Sequence, residues 1–115
     1  MRVFAAVLCL LAALAAPARA QGAFVAGIED LPLMPGLTAQ GEASVFDAPQ
    51  GRIVEASAQG AASRAAILEF YARTLPQLGW RGDGDGRFAR EGERLVLEFP
   101  ASQGATLVRF FLRPE

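Results

Sequence analysis

Residues 70–80 read Phe70-Tyr71-Ala72-Arg73-Thr74-Leu75-Pro76-Gln77-Leu78-Gly79-Trp80, and the hydrophobic period changes across them. Upstream and through this stretch, Ile67, Leu68, Tyr71, Leu75 and Leu78 recur at steps of three and four. That spacing gathers apolar side chains on one face of a helix. Ser63 is placed to cap it by accepting a first-turn amide that has no partner within the helix. Glu69 and Arg73 sit four apart on the outer side. Pro76 lacks an amide donor and crowds the preceding turn. The spacing therefore predicts that the regular helix stops or kinks near Leu75, with Gly79 ending the last turn.

From Trp80 onward the period is two. Leu95, Leu97 and Phe99 alternate with polar or smaller residues, as do Val108, Phe110 and Leu112. Such alternation marks strands with one buried face. Turn signals at Asp83-Gly84-Asp85-Gly86, Glu91-Gly92-Glu93 and 100–104 divide the section into an antiparallel meander. On the other side of the helix, 43–47 and 52–58 flank Ala48-Pro49-Gln50-Gly51, which reads as a hairpin turn. Gly60 is expected to break the second of these strands. The sequence thus predicts an α+β fold in the order β-β-α-β-β-β-β, the helix stripe and the inward strand residues being two halves of one core. Residues 43–115 form this domain, and 21–42, with Pro32 and Pro35 and no sustained period, read as an irregular segment.

Ahead of it, Arg2, an unbroken apolar run over 3–16, Pro17 and the A-x-A site Ala18-Arg19-Ala20 read as a signal peptide cleaved before Gln21. The run is shorter than the ~20 apolar residues that span a bilayer as a helix. The expected address is the periplasm, with no transmembrane anchor after cleavage. Cys9 lies in the middle of the apolar run, behind Val7-Leu8, which does not suit lipidation. The mature chain then has no cysteine and must hold together without disulfides.

Composition removes most catalytic chemistry. The chain has no histidine, and all 11 basic residues are arginine. The commonest general base, the usual zinc ligands and the bases that activate a serine are missing. No nucleotide-binding glycine motif or G-x-S-x-G occurs. An EF-hand loop starting at Asp83 would need Gly and Glu where Phe88 and Arg94 stand. Glu91, Glu93 and Glu98 are the acids a glycosidase reading would use, but two of them belong to a turn. The reading is a non-enzymatic protein with no catalytic residue, metal or cofactor. A net charge of −1 disfavours nucleic acid.

The passage Phe70-Tyr71-x-x-x-Leu75-Pro76-x-x-Gly79-Trp80 resembles a helix-to-strand motif of small exported bacterial envelope proteins that are themselves uncharacterised. Asp30–Leu37 is similar to a segment of short alphaproteobacterial envelope proteins. The resemblance implies an α+β fold and an envelope address. It carries over no catalytic residue.

Two surfaces are candidates for binding. Leu31, Pro32, Leu33, Met34 and Pro35 make an apolar segment that prolines keep from being helical. It either fits a partner's groove or folds back over an open end of this domain's own core. The second surface is the outward face of the meander. If Leu95, Leu97 and Phe99 point in, then Arg94, Val96 and Glu98 point out, and Arg109, Phe111 and Arg113 share their face, with Arg81 and Arg87 as further candidates. Arginines around apolar side chains suit an acidic protein or an anionic headgroup; the alternative is a solvated face of Arg–Glu pairs. The leading expectation is an interaction module or accessory or assembly factor bound to another envelope protein. A carrier or sensor of a small ligand or lipid is the alternative, and a small hydrolase comes third.

Overall fold

The structure, a computed structural model, describes residues 23–115. The expected signal peptide and its cleavage position before Gln21 lie outside the described residues. Over the described residues the fold is α+β, a seven-stranded antiparallel sheet with one α-helix. The strands are β1 (Leu37–Ala39), β2 (Ser44–Ala48), β3 (Gly51–Gly60), β4 (Arg81–Gly82), β5 (Arg87–Arg90), β6 (Glu93–Glu98) and β7 (Thr106–Pro114), and α1 (Arg64–Thr74) lies between β3 and β4. Across the sheet the order is β1-β3-β7-β6-β5-β4, and β2 also pairs with β3.

The observed order, β-β-β-α-β-β-β-β, corrects the sequence expectation by one strand. The addition is β1, within the segment read as irregular. Leu37, Thr38 and Ala39 pair with Gly60, Gln59 and Ala58. Three residues with a single large apolar side chain cannot display alternation, so only the backbone pairing reveals the strand. For the same reason Gly60 does not break β3 but is its last paired residue. Strands β1 and β2 occupy successive stretches of one side of β3, the side chains of β2 meeting residues 51–55.

The helix forms as its spacing predicts. Ser63 accepts the Ala66 amide at 3.0 Å, and a 3-10 turn over Leu75–Leu78 absorbs Pro76 at its start. Gly79 closes it at φ 94° while the Trp80 amide reaches back to the Leu75 carbonyl at 3.1 Å. Ile67, Tyr71 and Leu75 are buried against Val54, Ala56, Ala58, Leu95, Leu97, Val108, Phe110 and Leu112. Leu78, expected on the same stripe, is exposed at the end of the 3-10 turn, beside the chain reversal at Gly79.

One helix does not cover this sheet. Six strands abreast span about 24 Å at ~4.8 Å apiece, and a helix covers about 10 Å of that width. Residues 23–36 supply the rest of the cover. They fold as a series of tight turns joined by Val25 N–H to Leu31 C=O at 2.8 Å and Leu33 N–H to Ala23 C=O at 2.9 Å. Val25, Ile28 and Leu31 enter the same core as the helix. Burying three such side chains stabilises the fold by on the order of 5 kcal/mol, an upper figure since unfolded chains already bury some surface.

Candidate functional site

The Leu31–Pro35 segment belongs to the interior. Leu31 is fully buried, Leu33 and Met34 are half-buried against the core, Pro32 is half-buried, and only Pro35 of the five is exposed. The Tyr71 hydroxyl holds it in place, donating to the Pro32 carbonyl at 2.7 Å and accepting the Met34 amide at 3.0 Å. Of the two readings, folding back over the domain's own core is the one the geometry has. A second fastening lies nearby, where Arg90 stacks over the Trp80 ring at 4.4 Å and bonds Asp30 at 2.7 Å and the Leu78 carbonyl at 3.0 Å. Trp80 Nε1 is buried there without a hydrogen-bond partner.

The outer face of the meander is a different surface. Strand register brings its residues into rows. In one row Glu55 stands opposite Phe111, Phe111 opposite Val96, and Val96 opposite Arg87. In the next, Arg113 stands opposite Arg94, Arg94 opposite Ala89, and Ala89 opposite Arg81. On the far side of the first row, Ser57 is opposite Arg109 and Arg109 opposite Glu98. All the residues assigned to this face by parity are therefore brought together, Arg81 and Arg87 included. An open depression of about 500 Å³ lies over them, lined by Arg87, Arg94, Val96, Glu98, Phe111 and Arg113.

The arginines of this face differ in what answers their charge. Arg109 sits between Glu55 and Glu98, each at 3.1 Å, and is neutralised. Arg94 bonds Asp83 at 3.0 Å and reaches Glu115 at 3.7 Å. Arg81, Arg87 and Arg113 have no carboxylate within 4.0 Å among the described residues. Phe111 and Val96 are half-exposed between them. Such an arrangement can hold an anion by charge-assisted, two-pronged hydrogen bonds beside an apolar floor.

The sequence missed how this face is divided. Glu55, on β3, neutralises Arg109 from across β7, and only the β3–β7 register could have linked them. Phe46, 63% exposed on β2, pairs with Ile53 on the same side of the sheet as Glu55. It extends the apolar surface toward that edge.

The acids of the hydrolase reading are dispersed. Glu93 and Glu98 lie on opposite faces of β6 by parity, the former bonded to Arg52 at 3.3 Å and the latter to Arg109. Glu91 is exposed in the β5–β6 turn. No group of three metal-ligating side chains comes together among the described residues, and Asp83 of the Asp-Gly turn is engaged by Arg94. No helix among the described residues is long and apolar enough to cross a membrane. Set beside known proteins, the chain matches no family model, no curated protein and no solved structure.

Proposed function

We propose that this chain is a non-catalytic interaction module of the cell envelope, exported and cleaved before Gln21, which serves as an accessory or assembly factor by docking an acidic protein surface on its outer sheet face. The observation that carries this reading is the row Arg113–Arg94–Ala89–Arg81 beside Phe111 and Val96, with Arg87 next to it. Three of those guanidinium groups lack an internal carboxylate partner. A solvated sheet face of a chain with twelve acids and nine arginines over residues 21–115 would more simply pair its arginines with its own acids, as Arg109 does. The Leu31–Pro35 segment contributes stability to the module rather than contact with the partner.

A carrier or sensor of a small anionic ligand is the second reading. The depression of about 500 Å³ favours it, being within the size range of ligand pockets. Its place on the outside of the sheet, rather than between helix and sheet, favours the protein partner.

The test is native mass spectrometry of C-terminally tagged chain drawn gently from its host's envelope, together with an Arg87→Glu/Arg113→Glu variant. A stoichiometric second protein held by the native chain and lost from the variant is the expected result. The same protein retained by the variant would remove the outer face from the reading. A small adduct in place of a protein would favour the carrier.

A further inference from the structure

Resting on the reading of the outer face as a protein-docking surface, we infer that the face selects a short acidic segment in one polarity. Carboxylates lie along the Arg94–Arg113 row, and an apolar or aromatic side chain of the partner lies over Phe111 and Val96.

Arg94 and Arg113 are directly opposed on neighbouring strands. Like charges in that position destabilise a sheet. Asp83 and Glu115 answer Arg94, and Arg113 is unanswered among the described residues. Arg87 is one strand over from Arg94 and adjoins it diagonally. An anion seated among the three removes the repulsion and gains paired N–H donors, the geometry in which guanidinium groups hold carboxylates best.

Across the Phe111–Val96 row the field is different. Glu55, at the β3 end of that row, and Glu98, beyond it, flank Arg109, so two carboxylates share one guanidinium and a third carboxylate arriving on that side is repelled. The floor between the two sides is apolar. An incoming segment therefore meets a cationic side, an apolar middle and an anion-rejecting side, in that order, and fits in one orientation.

The size of the site argues for a segment. About 500 Å³ accommodates a large side chain with its neighbouring carboxylates, which a short segment projecting from the partner's surface supplies. The charge balance argues against an anionic bilayer, which responds to the whole molecule, nine arginines against twelve acids over residues 21–115. A segment that inserts into the depression responds to the local row.

The probes are short, terminally blocked, dye-labelled peptides titrated into the mature chain by fluorescence anisotropy. The first has two glutamates ahead of a phenylalanine, the second glutamines in their place, and the third alanine for the phenylalanine. The variants are Arg113→Gln, Arg87→Gln and Phe111→Ala, each on the solvent side of the sheet, with circular dichroism confirming the fold before titration. The glutamate peptide is expected to bind roughly tenfold more weakly to Arg113→Gln than to the native chain, while the glutamine peptide is unaffected by that change. Phe111→Ala is expected to abolish the preference for phenylalanine over alanine and to leave the preference for glutamate. A fourth peptide, with the phenylalanine ahead of the two glutamates, is expected to bind more weakly than the first; equal affinity would overturn the polarity and leave the acidic-partner reading standing, whereas equal losses of the glutamate and glutamine peptides on Arg113→Gln would overturn both. Absence of binding by any of the peptides, with arginine-dependent binding to phosphatidylglycerol vesicles instead, would overturn both.

Discussion

The Tyr71 hydroxyl donates to the carbonyl of Pro32 at 2.7 Å across 39 residues of sequence. The same oxygen accepts the Met34 amide at 3.0 Å, so one side-chain atom satisfies two main-chain groups of a segment that lies outside the seven strands. The Tyr71 ring meets Phe110 edge to face at a centroid distance of 5.5 Å and Phe70 at 4.8 Å. Tyr71 thereby connects three parts of the fold, namely the helix, the central strand β7 and the N-terminal cover.

Tyr71→Phe keeps the ring packing and removes the hydroxyl. The Met34 amide and the Pro32 carbonyl then lose their partner, at a cost of about 1–3 kcal/mol. Urea unfolding measures that loss, and limited proteolysis locates it. Cleavage within 31–35 is expected to accelerate in the variant while cleavage in the β5–β6 turn does not.

The same hydroxyl makes stability fall at alkaline pH. Burial pushes its pKa up from 10.0 to about 12, against a smaller opposing effect of the Met34 hydrogen bond. A folded-state value above the unfolded one means that the stabilisation is complete below about pH 10 and is lost as pH rises toward about 12, by up to ~1.4 kcal/mol per pH unit. The chain has no histidine or lysine, and Tyr71 is its single tyrosine. Urea midpoints at about pH 8 and about pH 11.5 test this. The native chain is expected to lose stability between them and Tyr71→Phe is not. Parallel curves for the two proteins would contradict the assignment.

Gly60 is required by how closely β1 approaches β3. A Cβ there would run into the Gly36 carbonyl oxygen and come within 2.9 Å of Leu37 Cδ2. Gly60→Ala is expected to destabilise by about 2–4 kcal/mol, because the obstacle is backbone that cannot turn aside. Hydrogen exchange of the β1 amides is expected to rise most. Gly92→Ala offers no comparable collision, and its cost is confined to the strain of φ 82°.

Glu91 is the one non-glycine residue at positive φ among those described, at 50°. With Gly92 at 82° it forms the two-residue loop between β5 and β6, a position that favours asparagine. Glu91→Asn is expected to stabilise by about 0.5–1 kcal/mol, read as an upward shift of the thermal midpoint. An unchanged or lower midpoint would show that Glu91 is held by something other than the turn.

The periodicities of residues 64–78 and of 81–114 determined the helix, its stop near Leu75 and the two faces of the meander. These are local properties, since 3.6- and 2-residue repeats follow from chain geometry whatever lies opposite. Parity alone also assigned Arg94, Arg109, Phe111 and Arg113 to one face. Only the tertiary structure decided which strand lies beside which, and with it the charge of each arginine's surroundings. Glu55 neutralises Arg109 from 54 residues away in sequence, whereas Arg113, four residues along the same strand, is unanswered. Nor could the sequence choose between docking segment and core for Leu31–Pro35. That choice depends on how much of the inner sheet face one helix leaves uncovered, and on a tyrosine hydroxyl that is placed only when the helix has packed.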